Sequence, residues 1–229
     1  MKSVLLVVVL LCLSFVSLTA QAVGGGLSVF VPEELYTSGQ GTVAFEQGLS
    51  TSIGFGDLLS IPIGVAYHAA GSFVLDPAEH PDHVGPDLYG DVLIPSVQVK
   101  MHVGLGSLVY VEAHGGGAAA WAFSLRPTAS FAQALVTDRT ALAVATDVVI
   151  KQGLGFGWVA GGAFGVNFGA ISVDLGATYR WLRIPLDLSA NVTSGQAGSF
   201  WSASTPFTST TQAALLRGLS IQLGGSYKL

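Results

Sequence analysis

Polar side chains recur at every second position in two neighbouring segments, where catalytic or ligand-binding groups could meet. The five residues are Gln98, Lys100, Tyr110, Glu112 and His114. Strand side chains alternate between the two faces of a sheet, so this spacing places all five on one face of a hairpin. If Leu105 centres the turn of that hairpin, Gln98 faces Glu112 and Lys100 faces Tyr110. A carboxylate beside an imidazole is the residue pair of general acid–base chemistry.

A second set of side chains extends this face to other parts of the chain. Glu46 falls across from His68 when the segments around them pair, and Arg180 lies on the same face of a later strand. Phe30 shares that face near a strand end. Because buried polar groups need partners or water, the pattern favours a polar network that either plugs a lumen or lines a passage for solutes or ions.

Catalysis by these groups finds little support in their spacing. Among enzymes built of strands, the lipid-A deacylase type carries a His-x-Ser pair on one strand. The residues two after the five histidines are Ala70, Asp82, Gly85, Gly104 and Gly116. No hydroxyl nucleophile stands at an obvious spacing from Glu112 and His114. We therefore expect no enzymatic activity and no cofactor.

The composition is that of a membrane-spanning chain without membrane helices. Charged residues make up 10% of the chain, where soluble domains have ~25%, and apolar residues make up 50%. After residue 22, no apolar run approaches the ~18 residues of a membrane helix, so the apolar side chains are spread by alternation. The formal charge is −5 and no basic cluster occurs, so we expect no nucleic-acid partner.

The first residues read as a secretory signal peptide. Lys2 precedes an apolar run over residues 4–16, and Ala20-Gln21-Ala22 is a small-x-small cleavage site. The sole cysteine, Cys12, lies in that run, so the remaining chain has no thiol for a disulfide or a thiolate metal site. We predict a signal peptide over 1–22 and one barrel domain over 23–229.

The last segment, Arg217 to Leu229, shows the barrel pattern most clearly. One face carries Leu219, Ile221, Leu223, Gly225, Tyr227 and Leu229, and the other is small or polar. A two-faced strand of this length fits a tilted crossing of a lipid core, and terminal strands of bacterial outer-membrane barrels look like this. We expect membrane lipid to contact the apolar face and the outer-membrane assembly machinery to recognise the strand.

The strand count decides the topology. Nine segments alternate, whereas bacterial single-chain barrels have even strand numbers, short periplasmic turns and long external loops. Assigning 126–152 to an external loop, with room for a short helix, leaves eight strands. Short turns then fall near residues 56, 105 and 169, and long loops at 33–41, 70–91, 124–154 and 184–212. A ten-stranded alternative would use 141–151 and 186–192 as strands, and would put the Gly169-Ala170 turn on the wrong side.

We therefore predict an all-β fold, an eight-stranded antiparallel up-and-down transmembrane β-barrel in the bacterial outer membrane. Such a barrel holds side chains or one small ligand and no wide aqueous pore. Seven apolar residues fall on the inward face near strand ends: Phe30, Val92, Ile94, Leu108, Val159, Leu182 and Leu216. A general diffusion porin is therefore disfavoured.

Two segments resemble the OmpW family of small outer-membrane barrels. They are FGWVAGGAFGVNFGAISVDLGATYRWLRIPLDL, from Phe156 to Leu188, and LIPSVQVKMHVGLGSLVYVEAHGGGAAAWAF, from Leu93 to Phe123. The first has the family's Gly-rich strand, hairpin and Ile/Asp tail, and the second has its proline-initiated central hairpin. The chain departs from the family in its terminal Leu229 and in its more glycine-rich hairpins. The resemblance implies a narrow, partly apolar interior that admits small hydrophobic molecules.

Two functions follow as expectations. The first is a narrow channel or binding site for small, mainly hydrophobic molecules, which would pass to the periplasm or sideways into the bilayer. The second is an adhesin that binds host or surface ligands through external loops 70–91 and 184–212. A metal site from Asp76, Glu79, His80, Asp82 and His83 would have suitable mixed ligands, but a solvated, proline-stiffened loop explains these residues better.

Overall fold

The computed structural model describes residues 21–39, 41–55, 57–75, 86–135, 142–195 and 205–229. The strands in these ranges are β1 (Ala22–Pro32), β2 (Ala44–Phe55), β3 (Leu59–Leu75), β4 (Leu88–Leu105), β5 (Val109–Pro127), β6 (Leu142–Gln152), β7 (Gly155–Phe168), β8 (Ile171–Gly195) and β9 (Thr205–Lys228). Two short helices are α1 (Glu33–Ser38) and α2 (Phe131–Ala134). None of the helices in these ranges has the length and apolar character to cross a membrane. The predicted signal peptide falls almost wholly outside the described residues and stays a prediction.

Eight strands close into a ring by antiparallel pairing of neighbours. The order is β1–β2–β3–β4–β5–β7–β8–β9, and β9 returns to β1 from Ala22↔Lys228 to Pro32↔Gly218. Closure leaves no unpaired edge within the ring, which is the condition for a sheet to cross lipid. The predicted eight-stranded antiparallel up-and-down barrel is confirmed.

The ninth strand, β6, does not enter this ring as a separate crossing. β8 pairs with β7 from Ile171 to Arg183 and then with β6 from Leu186 to Gly195. β6 and β7 therefore form one long strand that is interrupted only at residues 153–154. Our assignment of 126–152 to a loop is wrong in this part: the segment holds α2 and a strand, and the strand lengthens β7 beyond the membrane.

The other external loops are also shorter than predicted. β8 runs to Gly195 and β9 begins at Thr205, so most of 184–212 is strand. Its residues read as a loop because they are rich in Ser and Thr, yet outside a membrane the outer face of a strand meets water and can be polar. Of the segment 70–91, residues up to Leu75 and from Leu88 are strand, and 33–41 contains α1.

Backbone irregularities redirect side chains where the strands leave the membrane. The β3–β4 register shifts between His68 and Gly71, and Ala70 between them has φ 52°. Ser124 in β5 has φ 60° beside a second register shift. A bulge adds one residue and so exchanges the two faces of the strand beyond it. Phe73 and Leu75 are buried for this reason, although odd-numbered residues below the bulge face outward.

The outer surface of the ring carries an apolar belt. Phe45 is 71% exposed, Leu27 64% and Phe168 64%. Other members at similar exposure include Leu49, Phe55, Val97, Val99, Val103, Phe156, Phe164, Leu175, Ile221 and Leu223. Water-soluble monomers rarely expose a contiguous apolar patch of more than a few hundred Å², so this surface faces lipid. The belt places the protein in the outer membrane, as predicted.

Candidate functional site: a divided lumen

The interior of the barrel is divided into two unlike halves. Toward the long loops, the inward positions are apolar and packed. The largest of these buried side chains are Phe30, Phe73, Leu75, Leu88, Phe131, Leu182, Ile184, Leu186, Leu188 and Leu216. Toward the short turns, the inward positions are Gly, Ser and charged residues that surround an open cavity. We call these halves the apolar chamber and the polar chamber.

A buried carboxylate lies at the boundary between the chambers. Glu46 on β2 is 2% exposed. Its Oε1 lies 2.8 Å from Nδ1 of His68 on β3, and its Oε2 accepts hydrogen bonds from Ser28 Oγ at 3.0 Å and Ser220 Oγ at 2.7 Å. The guanidinium of Arg180 on β8 donates to the same carboxylate. Residues of β1, β2, β3, β8 and β9 thus meet at one point, which we call the latch.

An aromatic ring covers the latch on the side of the apolar chamber. The ring of Phe30 meets the His68 ring edge-on, with centroids 4.8 Å apart. Arg180 Cζ lies 5.6 Å from the Phe30 centroid, within cation–π distance. Phe30 is 1% exposed. The ring separates an ionic cluster from the hydrocarbon-like interior next to it, which strengthens the ion pair by excluding water.

The polar chamber has a volume of about 730 Å³. It is lined at one end by the latch and at the other by turn residues Leu58, Gly106 and Gly169, so it opens where the short turns lie. Short turns face the periplasm in barrels of this type. Solute from the periplasmic side can therefore reach the latch but meets packed side chains beyond it.

The side chains of β4, β5 and β8 supply the charged wall of this chamber. Lys100 Nζ forms an ion pair with Glu112 Oε1 at 2.8 Å. His114 Nε2 lies 2.9 Å from Thr178 Oγ1. Near the turns, Tyr110 Oη donates a long hydrogen bond to Asp174 Oδ2 at 3.4 Å. Five titratable groups therefore lie along one side of the cavity.

All nine residues predicted from the sequence to line the lumen lie on inward positions. Phe30, Glu46, His68 and Arg180 form the latch, and Gln98, Lys100, Tyr110, Glu112 and His114 line the polar chamber. Glu46 pairs with His68 in the strand register, as predicted. Whether these residues contact a ligand stays a prediction.

The predicted register of the β4–β5 hairpin is wrong. Lys100 pairs with His114 and Gln98 with Gly116, because the turn occupies residues 106–108 and is not centred on Leu105. Gly104 and Gly106 flank Leu105 and so suggested a turn centred on it. Of these two glycines, only Gly106 has a positive φ, of 87°. Leu108 consequently lies in the turn at 58% exposure and does not face the lumen.

Two contacts of the site could not be read from strand patterns. Arg180 reaches Glu46 across the lumen, from a strand that does not pair with β2. Tyr110 reaches Asp174 over Gly165 of the intervening strand β7, which pairs with both residues. Alternation marks both β8 residues as inward, but it does not say which side chain lies opposite in a closed ring.

Metal binding has no support in the described ranges, where no group of three or more His, Cys, Asp or Glu side chains comes together. The alternative metal ligands at positions 76, 79, 80, 82 and 83 lie outside the described residues.

A second ionic cluster lies on the outer face, near the edge of the belt on the loop side. Arg217 Nε lies 3.0 Å from Glu34 Oε1 and 3.8 Å from Glu33 Oε2, and Tyr179 Oη donates to Glu33 Oε2 at 2.6 Å. These contacts hold α1 against β8 and β9. Desolvation, followed by the charges of Glu33 and Glu34, raises the pKa of the Tyr36 phenol on the same helix.

No family model and no curated protein matches the chain. Among solved structures, the chain is similar to the outer membrane protein OprG from Pseudomonas aeruginosa, at a TM-score of 0.47 and 11% identity over 88% of this chain and 94% of that one. Neisserial surface protein A gives a TM-score of 0.46 at 8% identity, covering 92% and 98%. The outer membrane protein AlkL gives 0.43 at 14% identity, covering 92% of each chain. Since these TM-scores are below 0.5, the description as a small outer-membrane barrel rests on this chain's own strand pairing and belt.

Proposed function

We propose that this protein is a distant OmpW-like barrel that binds small, mainly hydrophobic molecules from outside the cell and passes them inward. The observation that carries the proposal is the apolar chamber. Leu182, Ile184 and Leu216 lie on the inward face, on the long-loop side of the latch, and each is fully buried. An interior of this kind favours apolar over charged solutes, since a desolvated charge there would find no partner.

The latch explains why such a route would be selective. A solute in the apolar chamber meets Phe30 first and then the Glu46–Arg180 ion pair. Hydrophilic molecules in the polar chamber meet the same barrier from the other side. Movement of the Phe30 ring, or exit through the wall into the bilayer, would release an apolar molecule without opening a water-filled pore.

The experiment is uptake of a fluorescent naphthalene derivative across asymmetric bilayers with lipopolysaccharide in the outer leaflet. We expect the protein to raise the rate above that of protein-free bilayers, and Phe30→Ala to raise it further. Phe45→Ala removes an equal ring from the lipid face, where it is 71% exposed, and should leave the rate unchanged. A wild-type rate equal to the protein-free rate, with no response to Phe30→Ala, would overturn the proposal.

A second candidate function is adhesion through the external segments 70–91 and 184–212. Its support is the length of β8 and β9, which span 25 and 24 residues. A membrane-spanning strand needs about 9–11, so both strands extend far past the belt. Replacing residues 196–204 by a Gly-Ser linker should abolish binding to host or surface ligands and leave naphthalene uptake intact if adhesion is the function.

A further inference from the structure

One wall of the polar chamber carries almost no large side chains, and this accounts for the volume of the chamber. The inward residues of β1, β2 and β3 on this side are almost all Gly or Ser, including Gly24, Gly26, Gly48, Ser50 and Gly64. An eight-stranded barrel normally fills its interior with side chains. At about 730 Å³ the space left by this wall falls within the 300–1,000 Å³ of small-molecule sites. The opposite wall carries the charged groups, so a molecule on the bare side would contact them.

The charges of that opposite wall do not balance. Glu46 is neutralised by Arg180, and Glu112 by Lys100. Asp174 has no ion pair within the described residues, and its hydrogen bond from Tyr110 is long, at 3.4 Å. At the periplasmic opening of the chamber, the exposed side chains of Asp57 and Lys228 carry opposite charges, so together they add no net charge. With His102 and His114 neutral, the chamber holds one uncompensated negative charge, at Asp174.

A second polar group of the chamber is incompletely paired. Among the described residues, His114 Nδ1 is buried and has no hydrogen-bond partner, although the other ring nitrogen lies 2.9 Å from Thr178 Oγ1. Buried polar atoms in proteins are nearly always paired with protein or an ordered molecule. An excess carboxylate and an incompletely paired imidazole in one cavity are groups that a ligand with hydrogen-bond donors and a positive charge would satisfy.

We propose that the polar chamber binds a small organic monocation, a primary ammonium or guanidinium compound, that enters from the periplasmic end. The cationic group donates hydrogen bonds to Asp174, and the rest of the molecule lies between the Gly/Ser wall and His114. This site lies on the opposite side of the latch from the apolar chamber. It is independent of the proposed passage of hydrophobic molecules, and either proposal can fail without the other.

The test is binding of butylammonium to the refolded barrel in detergent micelles, measured by saturation-transfer NMR against empty micelles. Butyrate serves as the probe of equal size and opposite charge. We expect saturable binding of butylammonium alone, and at least tenfold weaker binding to Asp174→Asn. Asp187→Asn removes the same charge from an exposed site on the outer face of β8 and should change binding less than twofold.

A steric variant keeps the test decisive if Asp174→Asn does not fold. A Cβ at Gly48 would have no neighbour nearer than Val65 O at 3.9 Å, so Gly48→Leu can extend into the chamber without a clash. It should weaken binding at least tenfold. Gly117 has open space around it on the lipid face, and Gly117→Leu is the matched control. Undiminished binding to either chamber variant, equal binding of butyrate, or no binding to the folded wild type would overturn the proposal.

Discussion

Arg180 and Glu46 form a buried ion pair across the lumen, between strands β8 and β2 that do not pair with each other. The sheet hydrogen bonds hold the ring closed around its circumference, whereas this contact passes through the lumen and joins two strands that are three places apart in the ring. The remaining oxygen lone pairs of Glu46 are taken by Ser28, His68 and Ser220. A desolvated pair is stable only when its other hydrogen bonds are made as well. The Glu46 carboxylate meets this condition, whereas Arg180 Nε and His68 Nε2 are buried with no hydrogen-bond partner among the described residues.

Removing the charge of Glu46 should destabilise the barrel strongly. Glu46→Gln leaves the Arg180 guanidinium buried without a counter-charge, and we expect a loss of about 3 kcal/mol in the free energy of unfolding. Urea unfolding in lipid vesicles measures it, with Asp187→Asn as the exposed control. In the double variant Glu46→Leu/Arg180→Met, both charges are gone, and the loss should be smaller than in Glu46→Gln. A larger loss in the double variant would show that the pair itself stabilises the fold.

Phe30 and Phe45 provide a comparison of the two faces of the barrel. Phe30→Ala leaves a cavity beside the latch, and we expect a loss of about 3–5 kcal/mol. Phe45→Ala removes an equal ring from the belt, where lipid chains fill the space, so a loss of roughly 1 kcal/mol follows. The measurement is the unfolding midpoint of each variant in the same lipid vesicles, compared with the wild type. Equal losses would mean that Phe30 is not packed as described.

Gly157 should not tolerate a side chain. A Cβ at this position would overlap the carbonyl oxygen of Trp181 on β8, and the neighbouring atoms are backbone that cannot move aside. We expect Gly157→Ala to destabilise the β7–β8 pairing by about 2 kcal/mol or more. Gly117→Ala meets nothing within 4 Å and should be nearly neutral. The temperature at which each refolded variant loses its heat-modifiable gel mobility provides the measurement.

The docking of α1 should depend on Arg217. Its Nε contacts the carboxylates of both Glu33 and Glu34, so Arg217→Met removes two charge-assisted contacts. We expect hydrogen exchange of residues 33–38 to accelerate about tenfold, which corresponds to about 1.4 kcal/mol. Lys228→Met, at an exposed position on the same strand, should leave this exchange unchanged. Unchanged exchange in Arg217→Met would indicate that Tyr179 and backbone contacts suffice to hold the helix.

Strand alternation predicted the ring and the inward position of the nine candidate lumen residues, because two-fold periodicity depends on local geometry alone. In the segment from Ile184 to Val192, the same periodicity was present but was not followed. Ile184, Leu186 and Leu188 alternate with Pro185, Asp187 and Ser189 and are buried, yet the Ser/Thr content favoured a loop. Outside the membrane, the outward positions of a strand face water and can be polar. Composition therefore indicated a loop where periodicity indicated a strand, and periodicity was correct.

Contacts across the lumen were beyond sequence reasoning. Glu46 and His68 are neighbours in adjacent strands, so hairpin pairing alone brings them together. Arg180 joins them only after all eight strands close, which depends on the stagger of the whole ring. The bulge at Ala70 is equally hidden, since no residue type demands a positive φ there. Tertiary closure and backbone irregularity account for what the sequence did not predict about the site.

The long β8–β9 hairpin determines how far the protein reaches from the cell. Strands of 25 and 24 residues extend roughly 80 Å at about 3.3 Å per residue. Tilted by about 40°, they rise roughly 60 Å, while the apolar belt of such barrels is about 25 Å tall. Roughly half of the hairpin therefore stands in the sugar layer outside the bilayer. A molecule that approaches the cell surface meets this hairpin before it meets any lipid.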